Sequence, residues 1–152
     1  MIFENVTLEK FCVAGIMVRT TNVNGQSQKD IGELWSRFMN KNISAKITDK
    51  INENLYCIYT NYESDYMGKY TAILGFQINS LGNIPEGMVI KTIPASTYQL
   101  YTSTGMLPHC VLNTWKGIWE SDIKRKYLAD FDIHPPDAFT IANPVVETYL
   151  SV

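Results

Sequence analysis

Two halves of this chain repeat each other at an offset of 80 residues, and that repeat limits the possible folds more than any single element. Val13-Ala14-Gly15 meets Ile93-Pro94-Ala95, Ile31 meets Val111, Trp35 meets Trp115 and Phe38 meets Ile118. A supersecondary unit that occurs twice buries its apolar face against its own copy. Periodicity supplies the content of the unit. Residues 9–20 are rich in branched side chains and read as a strand. In 27–40, Ile31, Leu34, Trp35, Phe38 and Met39 recur on one helical face, behind a capping-box-like start at Ser27 and Asp30. Residues 55–62 and 69–80 are two further strands around the turn-like "ESDYMG".

The second half keeps the order. Residues 88–102 form a strand interrupted by Pro94, and 108–121 a helix with Val111, Leu112, Trp115, Ile118 and Trp119 on its apolar side. Residues 127–134 and 143–152 close as strands. The expected fold is α+β, a pseudo-two-fold tandem repeat of β-α-β-β units with antiparallel sheets and two main helices. One domain spans 1–152, its halves run about 9–80 and 88–152, and the cleft lies at their junction.

Charge and apolar run lengths exclude several partners. The net charge is -2 with no basic block, which leaves nucleic acid no electrostatic footprint. The densest basic run, Lys124-Arg125-Lys126, reads as a solvated helix end. The longest apolar run, residues 12–18, falls far short of the ~20 residues of a membrane span. Cys12, Cys57 and Cys110 are odd in number and widely spaced, which suits reduced thiols in a cytoplasm. No CxxC, HxxxH or HExxH spacing joins the cysteines to His109 or His134, so neither metal nor cofactor is expected.

The blocks "YTNYESDYMGKYTAILGFQINS", "IPEGMVIKTIPASTYQLYTSTG", "TWKGIW" and "KRKYLADFDIH…VETYLSV" resemble the GyrI-like effector-binding superfamily. They are most similar to its stand-alone integron-cassette-type members and to the effector domains of AraC-type activators. The match runs from about Phe11 to the C-terminus. The resemblance implies two β-α-β-β repeats around a central pocket for small, flat, often cationic hydrophobic molecules. In multidrug-sensing relatives a pocket acid, ringed by aromatics, faces the ligand's positive charge. The family strand Asp-Phe-Glu-x-Tyr becomes Asp130-Phe131-Asp132-Ile133-His134 here. Asp132 thus stands one methylene shorter than the family Glu, and His134 replaces Tyr. The helix-turn-helix segments that precede this domain in activators are not in the sequence, so an effector module alone is expected.

Asp132 and His134 share a strand face by the two-residue period, as pocket acid and neighbour or as a solvated edge. Trp35, Trp115 and Trp119 have helical core spacing, and are either packing or walls of the cleft. Tyr56, Tyr59, Tyr62, Tyr66 and Tyr70 cluster around "ESDY". Alternation opposes Tyr59 to Tyr56 and Tyr62, and Tyr59 is selected for the pocket. Glu147 and Tyr149 share a face of the last strand as a second acid and ring, with Met17 and Phe76 as further lining candidates. The leading reading is binding of a small hydrophobic or cationic compound without catalysis, beside a possible separate regulator protein. The alternative is a hydrolase of reactive electrophiles, in which Asp132 and His134 activate water.

Overall fold

The computed structural model describes residues 2–79 and 84–152. The first half contains β1 (Glu4–Leu8), β2 (Phe11–Thr21), α1 (Gln26–Asn40), α2 (Ile43–Lys46), β3 (Leu55–Thr60) and β4 (Lys69–Ile78). The second contains β5 (Val89–Ile93), β6 (Ser96–Thr104), α3 (His109–Trp119), β7 (Ala129–His134) and β8 (Val145–Ser151). The eight strands form one antiparallel sheet in the order β1-β6-β8-β7-β3-β4-β2-β5. The fold is α+β, and the order reads symmetrically about the β3–β7 contact. Ser80, the last residue of the expected 69–80 strand, lies outside the described residues.

Each half begins with a broken strand. Pro94 separates β5 from β6, as its missing N–H requires of a ladder, and Glu9-Lys10 makes the matching break between β1 and β2. Sequence periodicity reveals the second break and misses the first, so β1 is an addition to the expected β-α-β-β unit. The two broken strands pair with each other across the halves. Glu4 faces Leu100, Leu8 faces Ser96, Phe11 faces Ile93 and Gly15 faces Val89, a register that passes both breaks without a slip. The ends of the sheet therefore meet in one ladder, and the sheet curls round an interior of Val13, Ile58, Tyr98, Ala129 and Phe131. Among the described residues no long edge is left open to foreign strands.

The outer face of the curled sheet carries the helices. Leu34 and Phe38 of α1 bury against Ala14, Ile16, Leu74 and Phe76, while Trp115 and Ile118 of α3 bury against Tyr101, Val146 and Leu150. Gly15 and Gly75 face each other where β2 and β4 press together, and a Cβ on either would collide with the opposite backbone. The helix-to-strand connection of the first half, which holds α2, is longer than that of the second. The offset of 80 therefore ends at the helices. The start of α1 also differs from expectation. Gly25, at φ 70, occupies its N-cap with no side-chain cap bond, and Ser27 is a buried residue inside the helix. Gln26 Nε2 donates to Asp30 Oδ1 at 3.0 Å, which takes that acid out of any capping box.

Candidate functional site

The halves meet over β3 and β7, and between α1 and α3 they leave a cavity of about 690 Å³. Its floor is set by strand alternation. Cys57 and Tyr59 of β3 and Asp132 and His134 of β7 point outward into it, while Phe131 and Ile58 point into the sheet interior. Trp35 comes from α1, and Trp115 and Trp119 come from α3. Six of the ten residues selected from sequence thus line one space: Asp132, His134, Trp35, Trp115, Trp119 and Tyr59.

The other four do not, and each has a geometric reason. Phe76 is 4% exposed and packs on Phe38 at 5.9 Å, deeper in the first core. Met17 shares the face of Val13, opposite the helices, and is 41% exposed. Glu147 and Tyr149 flank Thr148 and so point away from it. Tyr149 stacks on Phe131 at 4.8 Å inside the sheet. The second acid and ring of the cleft are corrected to the interior side.

Sequence periodicity passes over three important wall residues. Asn61 adopts φ 51, a left-handed conformation that breaks the alternation after Thr60. Tyr62 is thereby turned onto the same side as Tyr59, against the expectation that they oppose each other. Arg125 is not at a solvated helix end. Its side chain is 4% exposed, pairs with Asp130 at 2.9 Å, and lies 4.3 Å from the Tyr127 ring centre. Phe139, from the segment after β7, stacks on His134 at 5.9 Å and meets the Trp35 edge at 5.5 Å. Asn61 as a helix- and strand-averse residue was the readable signal for Tyr62; no local pattern marks Arg125 or Phe139.

Asp132 is 1% exposed and accepts from three side chains. Thr148 Oγ1 donates to Oδ1 at 2.6 Å, Tyr59 Oη to Oδ2 at 2.8 Å, and Trp115 Nε1 reaches both oxygens at 3.1 Å. No cation faces it. Burial pushes its pKa up to about 6, although Thr148, Tyr59 and Trp115 all pull the other way. The same burial, with the nearby Asp132 charge, holds the Tyr59 phenol well above its ordinary value, so it remains a donor. His134 moves in the opposite direction. Burial drops its imidazole to about 4, partly countered by the Leu55 backbone. At neutral pH His134 is therefore uncharged and does not cancel Asp132. Arg125 and Asp130 neutralise each other, and Asp132 is the only carboxylate on the wall among the described residues.

The rings complete the site. Tyr59 and Trp115 meet edge-on at 5.2 Å and 80°, making a corner beside Asp132. Tyr66 stacks parallel to Trp119 at 6.3 Å, linking the turn after β3 to α3. Such a space offers apolar burial, aromatic faces and one uncompensated negative charge. Among the described residues no cluster of His, Cys, Asp or Glu is arranged to hold a metal ion, and no helix is long and apolar enough to cross a membrane.

Sequence and fold comparisons agree with this architecture. Residues 5–152 match the Cass2 family, described as integron-associated effector binding protein. A solved integron cassette protein from the mobile metagenome of Vibrio cholerae is 31% identical. It covers 99% of this chain and 95% of its own, with a TM-score of 0.77. YobU of Bacillus subtilis (strain 168), described as a candidate transcriptional regulator, is 28% identical over 99% of this chain and 98% of its own. The structure of SAV2435 bound to tetraphenylphosphonium shares the fold. Its TM-score is 0.81 at 18% identity, over 100% of this chain and 94% of that one.

Proposed function

This chain belongs to the integron-associated effector-binding family of the GyrI-like superfamily, and from that premise we propose that its cavity binds small hydrophobic, cationic aromatic compounds. It acts as an effector-binding module in the cytoplasm and passes its ligand state to a separate regulator protein. The observation that carries this reading is Asp132, a buried carboxylate that pairs with no cation among the described residues, in an aromatic-walled space of about 690 Å³. An ionised acid there lacks the partner that would offset its desolvation. A lipophilic cation supplies that partner and brings its own apolar surface. A protein of the same fold holds tetraphenylphosphonium, a cation of this kind, which supports the class.

The test is a titration with tetraphenylphosphonium followed by tryptophan fluorescence, since three tryptophans line the space. Saturable quenching at micromolar concentration is expected at about pH 8. Asp132→Asn should weaken it about ten-fold, equivalent to 1.4 kcal/mol. In the wild type, affinity should also fall as pH drops through about 6, where Asp132 takes up its proton. Equal affinity in both proteins at both pH values would refute the role given to Asp132. Recovering the ligand intact after long incubation separates binding from the hydrolase alternative. Three donors already occupy the carboxylate oxygens, which disfavours Asp132 as a base for water.

A further inference from the structure

We propose that the cavity reads positive charge through the rings of Tyr59 and Trp115 rather than through Asp132 itself, and therefore selects cations that carry no N–H donor. Quaternary ammonium, phosphonium and delocalised dye cations are the ligand class; protonated amines are rejected. This inference rests on the cation-binding reading and sharpens its substrate class.

The argument begins with how fully Asp132 is used. A carboxylate offers about four lone-pair sites. Thr148 and Trp115 take those of Oδ1, and Tyr59 and Trp115 take those of Oδ2. Asp132 lines the cavity but is 1% exposed, so a ligand N–H that approaches it meets oxygens whose acceptor sites are already taken. An ammonium in the cavity would then lose its water without gaining a hydrogen bond from the acid. A buried donor left unmade costs more than a made bond returns. A donor-free cation loses nothing in this way.

The charge of Asp132 still reaches the cavity, by a different route. Tyr59 and Trp115 point their O–H and N–H dipoles at the carboxylate. A charge-assisted hydrogen bond draws the donor hydrogen toward the oxygen and leaves more electron density on the ring behind it. Both rings face the lined space, and their 80° crossing makes a two-sided corner. A cation over such faces is attracted by their quadrupoles, and more strongly when desolvated. Thr148 becomes a specificity-determining residue. It touches no ligand, yet it consumes the acceptor that would otherwise admit an amine.

A matched pair of probes tests this: a triphenylpropylamine, and the same skeleton as its N,N,N-trimethyl quaternary salt. Both are cations at about pH 8, where Asp132 is ionised. The ratio of their dissociation constants is measured in wild type, Thr148→Val and Tyr59→Phe. Wild type should favour the quaternary salt by ten-fold or more. Hydration alone gives some preference of that sign, so the variants decide. Each frees one acceptor site on Asp132 while keeping side-chain shape, and the ratio should shrink at least three-fold in each. A ratio unchanged in both variants, or a wild type that prefers the amine, overturns the donor rule and leaves cation binding intact. Failure of both probes and of tetraphenylphosphonium to bind overturns the underlying reading as well.

Discussion

Asp130 and Asp132 lie two residues apart on one face of β7, and their burial is met in opposite ways. Asp130 is 0% exposed and pairs with Arg125, and it also accepts from Tyr62 Oη, the Ser151 amide and the Ser151 hydroxyl. Its charge is compensated inside the fold. Asp132 is 1% exposed and accepts from three uncharged donors, and among the described residues no cation pairs with it. Hydrogen bonds alone do not offset the loss of water around a full charge, and its pKa climbs to about 6. The pair teaches that equal burial does not mean equal role. Asp130 holds Arg125 and Tyr62, and Asp132 is left with neutral donors and no charged partner among the described residues.

The largest effect should come from breaking the compensated acid. Arg125→Met removes the one cation paired with Asp130 among the described residues and strands its carboxylate. Losing one partner of a buried pair costs about 3–5 kcal/mol, to be read as a fall in the urea midpoint at neutral pH. A loss under about 1 kcal/mol would mean that Ser151 and Tyr62 suffice, and the contrast between the two acids would dissolve.

Removing the uncompensated acid should do the reverse. Asp132→Asn keeps the size of the side chain, and the Tyr59 and Thr148 hydroxyls can turn to accept from the new amide. At about pH 8 the empty variant should be more stable than wild type by about 1–3 kcal/mol, even as it loses cation affinity. The pH profile sharpens this. Asp132 is raised from 3.8 to about 6 in the fold, so its contribution is complete below the lower value and is lost as pH rises through about 6. His134 is lowered from 6.5 to about 4, so its contribution is complete above 6.5 and is lost as pH falls through about 4. In wild type the two slopes oppose each other across this window. Asp132→Asn should leave stability rising with pH, and His134→Phe should leave it falling. Parallel profiles in the two variants would overturn the assignment of the two shifts.

The same contrast shows what a sequence can and cannot reveal. Alternation in β7 is strong enough to put Asp132 and His134 on one face, and helical spacing is enough to put Trp115 and Trp119 on one face of α3 and Trp35 on the apolar face of α1. These are periodic facts, and a regular element carries them across its whole length. The closing of the sheet depends on β1 meeting β6, a pairing between residues far apart, and a five-residue strand has too little pattern to announce it. Which face of β8 looks into the cavity depends on register. Thr148 faces Asp132 across the ladder, and a shift of one residue would have exchanged it for Glu147 or Tyr149. Arg125 was hidden because a basic triplet looks solvated until an acid five residues later folds back onto it.

The smallest effect lies at the turn that delivers Tyr62 to Asp130. Asn61 holds φ 51 at the end of β3, a conformation that Asn tolerates and β-branched residues resist. Asn61→Gly removes the side-chain contact to Lys91, which is exposed, and keeps the backbone free to turn. It should change stability by no more than about 0.5 kcal/mol. Asn61→Val must either accept strain of about 1–2 kcal/mol or return to extended geometry. Extended geometry would restore strict alternation, carry Tyr62 to the face of Tyr56, and remove one of the bonds to Asp130. Tyr59 lies before the turn, so the donors of Asp132 stay as they are. Denaturation of the two variants, paired with tetraphenylphosphonium titration, separates the outcomes. A stability loss in Asn61→Val with affinity kept within two-fold would show that the turn serves the compensated acid alone. A parallel loss of affinity would mean that Tyr62 belongs to the ligand wall as much as to the ion pair.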